Sequence, residues 1–358
     1  MKDARLRRGY LDWLRGLAVV VMIEAHVLDS WTRVADRGSW QFAWAMIAGG
    51  FGAPLFLFLA GVSVALSAGS KARRSGDAKA AAATVMRRGL WVFGLAFLFR
   101  VQAWVLGWSA PGKLLKVDIL NIMGPAIIAS AALWGRFRSP RARCAAFAAA
   151  TLTIAYLTPI VRTATFLDPL PDPLEAYLRP VPALSTFCLF PWAGFVFAGG
   201  LVGVLLDGAR TRETESPLNA WIFGGGAAVA IASYLASFLP SAFVGSTFWG
   251  SSPAFFLLRA GVITAAVGLA YAWDVRPWAR RWSPMQQLGR TSLFIYWIHV
   301  EMAYGLISLP LHKHLSHEQA WIGVFLFSLF MLLCSVAKDR VVAWWRDRAA
   351  PPPVLVAQ

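Results

Sequence analysis

Acidic and imidazole side chains occur inside two strongly apolar stretches of this sequence. Glu24 and His26 follow the run LAVVVMI, and His299 and Glu301 lie in the late run SLFIYWIHVEMAYG. A charged group inside a bilayer costs about 2.5–3.5 kcal/mol on insertion scales, so such groups usually face a bundle interior and pair there. Histidine can also exchange a proton near neutral pH. The pattern predicts either an ion network that only fixes helix packing or a polar cavity for acid–base chemistry or transport. The number of these groups favours the cavity.

Helical spacing limits which of these groups can touch. Glu24 and His26 are two residues apart, about 200° around a helix, so they do not face each other, and the same holds for His299 and Glu301. Each therefore needs a partner on another helix. Asp29 is three residues beyond His26 and on its face. Its carboxylate could accept the imidazole proton and set the tautomer.

Further polar residues lie at a similar depth in other apolar stretches. Arg100 and Arg259 are inside predicted helices, and Tyr296 shares a helix face with the late histidine. That face could line a cavity or form hydrogen bonds between helices. Asp118 and Asn121 share one face at the start of another helix. They could bind hydroxyl groups of a substrate, or Asp118 could cap the helix.

The composition indicates a polytopic membrane protein. The chain has 358 residues, of which 58% are hydrophobic and 15% charged. Apolar stretches of about 20 residues recur, each long enough to cross a hydrocarbon core of about 30 Å. The net charge of +16 could suggest nucleic-acid binding, but the Lys and Arg residues lie in short loops, as membrane topology requires. The cysteines, of which two lie in apolar runs, indicate no disulfide framework, and we expect no metal site.

The apolar pattern predicts an all-α bundle of ten transmembrane helices in one domain, 1–348, followed by a disordered tail, 349–358. Lys and Arg are strongly enriched in alternate loops, so the positive-inside rule predicts that both termini are cytoplasmic. The run AGGFGAP predicts a kink or break in the second helix. The proline-rich segment 160–183 could cap a cavity. The predicted helices are 11–31, 40–69, 86–108, 117–135, 142–159, 184–206, 219–239, 253–273, 290–309 and 320–337.

Four motifs follow one another in a recognisable order. They are YLDWLRGLAVVVMIEAH, FGAPLFLFLAGVSVAL, VDILNIMG and LGRTSLFIYWIHVEMAYG. In this order the sequence resembles bacterial members of the heparan-alpha-glucosaminide N-acetyltransferase catalytic domain family. That family belongs with the transmembrane acyltransferases, which include the acyltransferase-three proteins. The likeness covers roughly 10–135 and 285–310.

The resemblance implies transfer of an acetyl group from cytoplasmic acetyl-CoA to a hydroxyl or amine on the far side of the membrane. A histidine in the outer part of the first helix is taken as catalytic in related proteins, and His26 matches it. Asp12 and Arg15 match the signature at the cytoplasmic mouth. The lysosomal eukaryotic members carry an asparagine and a more distant histidine after this helix, whereas here Glu24 and His26 occupy the run itself. The acceptor therefore stays open.

Acyl transfer assigns a role to each group of polar residues. His26 would be the general base that removes the acceptor proton, and Asp29 or an acid from another helix would orient it. The candidate catalytic residues are His26, Glu24, Asp29, His299 and Glu301. Basic residues at cytoplasmic helix ends could hold the CoA phosphates, although topology alone could explain them; the candidates are Arg15 with Asp12, Arg88 and Arg290. The candidate acceptor-binding residues are Asp118, Asn121, Tyr296, Arg259 and Arg100.

The sequence thus predicts a membrane acetyltransferase of the bacterial inner membrane. Acetyl-CoA would be the donor and a sugar or envelope glycan the acceptor, with no nucleic-acid partner and the oligomeric state left open. The alternative is a proton-coupled transporter or exporter of a polar solute that uses the same charges. A third alternative, a non-catalytic scaffold, leaves the polar cluster without a role.

Overall fold

A computed structural model describes residues 8–107, 111–243, 245–276 and 282–349. The described residues are almost entirely helical and contain no β-strand. We number the α-helices in chain order. They are α1 Gly9–Trp31, α2 Trp40–Gly49, α3 Gly52–Ser75, α4 Ala78–Gly107, α5 Ile119–Arg136, α6 Pro140–Thr163, α7 Asp172–Leu178, α8 Leu189–Gly208, α9 Arg212–Ala236, α10 Pro253–Asp274, α11 Pro284–Arg290, α12 Ser292–Tyr304 and α13 His317–Ala349.

The helices form a polytopic membrane bundle, as predicted. Each of the ten predicted segments contains helix, and eight helical stretches in the described residues are long and apolar enough to cross a membrane. The first helix and the α11–α12 segment are not among these eight. The first helix carries several ionisable residues, and the other segment is divided into two short helices. The predicted tail lies outside the described residues apart from Ala349, which ends α13.

Two predicted helices are divided. The break expected in the second one is confirmed, because α2 ends at Gly49 and α3 begins at Gly52. The continuous helix predicted over 290–309 is wrong, because α12 spans only Ser292–Tyr304 and a 3-10 helix, Leu306–Leu311, follows Gly305. The hydroxyl of Thr291 lies 2.6 Å from that of Ser335 in α13. This hydrogen bond to α13 fixes the chain at the point where the backbone hydrogen bonds of α11 end.

Several helices extend beyond their apolar stretch. The helix α9 begins at Arg212 rather than near 219, because Thr211 caps it and accepts a hydrogen bond from the amide of Thr214. Both α4 and α13 also continue into polar sequence. The segment 160–183 contains the short helix α7, in which Tyr177 accepts a hydrogen bond from Asn121 of α5.

The first helix is central, and its beginning lies at the same end of the bundle as the later part of α13. It contacts α2, α3, α10, α11, α12 and α13. At that end Arg8 forms an ion pair of 2.6 Å with Glu215 at the start of α9. Gln287 in α11, which packs along α1, donates to Asp339 in α13 over 2.8 Å. This arrangement agrees with the prediction that both termini lie on one side.

Glycines allow two helix pairs to pack backbone against backbone. A Cβ at Gly61 of α3 would overlap the carbonyl oxygen of Val196 in α8, and one at Gly199 would overlap that of Phe58. In the same way Gly16 of α1 and Gly289 of α11 face each other's backbone. These contacts fix α3 against α8, and α11 against the first half of α1. They position the polar residues described next.

Candidate active site

Two histidines from different helices form a hydrogen-bonded pair. Nδ1 of His26 in α1 lies 3.1 Å from Nε2 of His299 in α12. The rings are stacked, with centroids 5.1 Å apart and planes 20° apart. His299 is completely buried, and its Nδ1 lies 2.8 Å from the carbonyl oxygen of Ile295. The late histidine is therefore the partner that the helical spacing required of His26.

The hydrogen bonds define the tautomers of the neutral pair. A carbonyl oxygen can only accept, so Nδ1 of His299 must carry a proton and donate it to Ile295. Nε2 of His299 is then the acceptor, and Nδ1–H of His26 must donate to it. Consequently Nε2 of His26 is unprotonated, and its lone pair is available to remove a proton.

His26 lines a large cavity between α1, α2, α4, α5, α10 and α12, which we call the histidine cavity. Its volume is about 900 Å³, comparable to the larger small-molecule sites of proteins. His299 is not among the lining residues, which agrees with its complete burial. The polar side chains that line it include His26, Asp29, Arg100, Lys116, Asp118, Arg259, Tyr296, Glu301, Tyr304 and His312.

Asp29 lines the histidine cavity but has other partners than expected. Its Oδ2 accepts a hydrogen bond of 2.9 Å from the hydroxyl of Tyr304, and its Oδ1 lies 3.5 Å from the guanidinium of Arg37. Contrary to expectation, Asp29 therefore does not set the tautomer of His26, because Nδ1 of His26 is hydrogen-bonded to His299 instead. Tyr304 also contacts the His26 ring edge-on, with centroids 5.5 Å apart.

A second polar cluster lies on the wall formed by α4, α5 and α12. Arg100 forms an ion pair with Asp118, and the hydroxyl of Tyr296 donates to the same carboxylate over 3.2 Å. Asp118 is also the N-cap of α5, where its Oδ1 accepts from the amide of Ile119 over 2.7 Å. Asp118 thus lines the cavity and caps the helix. Asn121 completes the cap but is buried and does not line the cavity.

The remaining charged candidates separate into two groups. Glu301 and Arg259 line the histidine cavity, and Arg259 donates to the carbonyl of Gly50 at the break between α2 and α3. Glu24 is only 6% exposed and does not line the cavity. It packs against Gly49, and its Oε1 has no hydrogen-bond partner among the described residues. Glu24 therefore lies close to the site but does not face it.

The four residues expected to hold the donor share a separate cavity of about 370 Å³, which we call the arginine cavity. Nη1 of Arg15 forms an ion pair of 2.7 Å with Asp12, and its Nη2 donates to the hydroxyl of Ser63 over 2.5 Å. The cavity lies in the half of α1 and α3 that leads to the predicted cytoplasmic end. The expected lining residues are Asp12, Arg15, Arg88 and Arg290.

An aromatic pair lies where the two cavities approach each other. Phe56 lines the arginine cavity and Tyr296 lines the histidine cavity. Their rings are stacked at a centroid distance of 6.2 Å and an interplanar angle of 15°. We call these two residues the ring pair. Each cavity therefore contributes one ring to a stacked contact between them.

The sequence interpretation missed the face of α3 that lines the arginine cavity. Phe56, Ala60, Ser63 and Ser67 all line it. They recur at i, i+4, i+7 and i+11, which is the spacing of residues on one helix face. A search for helix faces that carry two hydroxyl side chains would therefore have found them. In the described part of the chain, no group of three His, Cys, Asp or Glu residues is arranged to bind a metal ion.

The comparison with protein families completes the description of the site. A family model for heparan-alpha-glucosaminide N-acetyltransferase, catalytic, matches residues 7–237, almost two thirds of the chain. The chain belongs to this family. Membership implies a transmembrane acetyltransferase. A comparison with curated proteins finds no match.

The family match includes the His26 region but ends before α10. Arg259, Tyr296, His299 and Glu301 therefore come from the part of the chain beyond the match. The match also includes the middle of the chain, which in sequence is plain apolar helix. Residues from both parts line one cavity beside His26.

Proposed function

We propose that this protein transfers an acetyl group from acetyl-CoA to a hydroxyl or amine of a sugar, with His26 as the general base. The observation that carries the proposal is the unprotonated Nε2 of His26, which follows from the bond to His299 and belongs to a residue lining a cavity of about 900 Å³. A general base in hydrogen-bond contact with the nucleophile typically contributes about 10²–10⁴ in rate. Family membership supports the acetyl transfer itself.

The proposed reaction is a direct transfer. Nε2 of His26 takes the proton of the acceptor hydroxyl or amine, whose oxygen or nitrogen forms a bond to the thioester carbonyl carbon. The C–S bond of the tetrahedral intermediate then breaks, and His26 returns the proton to the leaving thiolate. The guanidinium of Arg100, held by Asp118, keeps further N–H donors and is the proposed donor to the oxyanion.

His299 has a positioning role in this proposal. Its Nε2 accepts from Nδ1 of His26 both before and after His26 becomes positively charged. A hydrogen bond from a charged donor is worth more than one from a neutral donor. The bond therefore strengthens as the proton moves, which favours the transition state over the ground state.

The donor would bind in the arginine cavity. Its phosphates are multiply charged, and Arg15, Arg88 and Arg290 provide guanidinium groups suited to phosphate oxygens. Asp12 holds the Arg15 side chain in place. The pantetheine arm would extend toward the ring pair and carry the thioester to His26. The nucleotide then stays on the cytoplasmic side of a bacterial inner membrane.

The test uses purified protein in lipid vesicles with radiolabelled acetyl-CoA and a panel of amino and neutral sugars. We expect labelled acetyl-sugar from the wild type and loss of at least about a hundredfold in rate for His26→Ala. Binding of acetyl-CoA should persist in that variant, because His26 does not line the arginine cavity. Full activity of folded His26→Ala would refute the mechanism. Sugar uptake into the vesicles without acetylation would instead support a transporter.

A further inference from the structure

Arg259 differs from Arg100, the arginine of the histidine cavity whose ion pair is described. Arg100 is paired with Asp118, and Asp29 is paired with Arg37. No carboxylate of the described residues forms an ion pair with Arg259, whose one hydrogen bond goes to the carbonyl of Gly50. A guanidinium has five N–H donors, so most of its donors remain available to a ligand. An unpaired cation inside a membrane protein is a strong indication of a functional partner.

Aromatic rings surround the Arg259 guanidinium. Its Cζ lies 5.1 Å from the ring centroid of Phe255, 5.4 Å from Trp192, 5.5 Å from Phe195 and 6.0 Å from Phe51. Ring faces attract a cation without removing its ability to bind an anion. Four rings thus hold the charge in place where an acidic side chain would have neutralised it.

The acid on the opposite wall does not supply the missing partner. Glu301 interacts electrostatically with Arg100 and Asp118. The cavity therefore has a wall of paired and acidic groups on α5 and α12 and a cationic site on α10.

We propose that Arg259 binds an acidic group of the acceptor, a carboxylate or a phosphate ester, while the acceptor's hydroxyl or amine faces His26. The proposal rests on the proposed function and narrows the acceptor to acidic sugars. Lys116 also lines this cavity. A guanidinium binds either anion through paired N–H donors, so a free acidic sugar and a sugar phosphate attached to a lipid fit equally.

The test compares matched acceptors that differ by one acidic group. The pairs are glucuronic acid with glucose, and glucosamine 6-phosphate with glucosamine. Glucose linked to a polyprenyl phosphate in the vesicle is the lipid arm, with glucose linked to an uncharged polyprenol as its control. Binding is measured by calorimetry and acetyl transfer with radiolabelled acetyl-CoA. We expect the wild type to bind at least one acidic probe about tenfold or more tightly than its neutral partner.

Variants assign that preference to one residue. Arg259→Gln should remove the preference for the acidic probe, and Arg259→Lys should retain part of it. Arg162→Gln is the matched control, because Arg162 also donates to a backbone carbonyl, 3.0 Å from Gly250, but does not line the cavity. A preference confined to the lipid arm identifies a lipid-linked acceptor, and one in the soluble pairs identifies a free acidic sugar.

Two results would overturn the inference. One is equal binding of acidic and neutral probes by the wild type, which needs no variant to fold. The other is an acidic preference that survives in Arg259→Gln. If the protein acetylates sugars but does not prefer acidic ones, only the role of Arg259 is refuted. If it binds acidic probes but acetylates none of the sugars, only the proposed acetyl transfer is refuted.

Discussion

The replacement of His299 by phenylalanine tests the central hydrogen bond of the site. Phenylalanine fills a similar volume but cannot accept the proton of Nδ1 of His26, which lies 3.1 Å from the acceptor nitrogen. The variant should fold, because phenylalanine occupies the same completely buried position and only two hydrogen bonds are lost. Such bonds average about 0.6 kcal/mol between membrane helices.

The kinetic effect should exceed the effect on stability. When His26 carries the acceptor proton, its Nδ1–H becomes a charged donor, and a bond from a charged donor is worth about 1.5–3 kcal/mol. The neutral bond already present in the free protein is worth about 0.6 kcal/mol, so its loss corresponds to a net decrease of about 5- to 60-fold in kcat/KM for the acceptor. The KM for acetyl-CoA should stay constant, because His299 does not line the arginine cavity. His299→Gln should recover part of the rate, because an amide oxygen can accept the same bond.

The assay is steady-state transfer of radiolabelled acetyl groups, with unfolding temperatures measured in parallel. His317→Phe is the control, because His317 bonds to Trp321 over 3.1 Å and lines neither cavity. Wild-type kcat/KM in folded His299→Phe would refute the reasoning, and so would an equal loss in His317→Phe. A higher KM for acetyl-CoA would show that the residue acts through the donor site instead.

Three further substitutions test the two cavities and the packing. Arg88→Gln should raise the KM for acetyl-CoA about two- to fivefold, which is the modest effect of an exposed charge. Arg87→Gln is the control, because the neighbouring Arg87 lies outside the arginine cavity and its replacement should leave this KM unchanged. Equal effects of the two substitutions would contradict the donor site. Phe56→Ala opens the ring pair and should raise CoA release relative to acetyl-sugar formed, measured with a thiol reagent; an unchanged ratio would mean that the rings do not separate the cavities. Gly199→Val should lower the free energy of unfolding by about 1–3 kcal/mol or more, because its Cβ would overlap a backbone carbonyl of α3. Gly94→Val is the control, because a Cβ at Gly94 meets no atom within 4 Å. Equal unfolding temperatures of the two variants would argue against close backbone packing.

The membrane architecture was predictable because it depends on local composition. Runs of apolar residues and the distribution of Lys and Arg are visible in the chain itself, and the helices follow them. The position of Thr291 shows the limit. Its hydroxyl bonds to Ser335, 44 residues away, and no local pattern predicts that contact. The boundary between α11 and α12 is therefore a tertiary effect.

The sequence predicted which residues belong to the site better than it predicted which of them contact each other. Depth in the membrane grouped Arg15, Arg88 and Arg290 correctly into one cavity. Helical spacing placed Asp29 on the face of His26 but could not reveal that Tyr304 and Arg37 hold its carboxylate. Spacing excludes contacts within one helix, whereas the choice of partner depends on how separate helices pack.

The glycine contacts between α3 and α8 determine which part of the molecule can move. Two helices whose backbones are in direct contact cannot slide past each other without collision. The helices α3 and α8 therefore behave as one rigid unit, and Phe56 belongs to it. Tyr296 lies on α12, a helix of 13 residues whose neighbours Thr291 and Gly305 interrupt the backbone at both ends. In the proposed reaction, Tyr296 and its short helix are therefore the side of the ring pair that can yield to a thioester, whereas Phe56 stays in place.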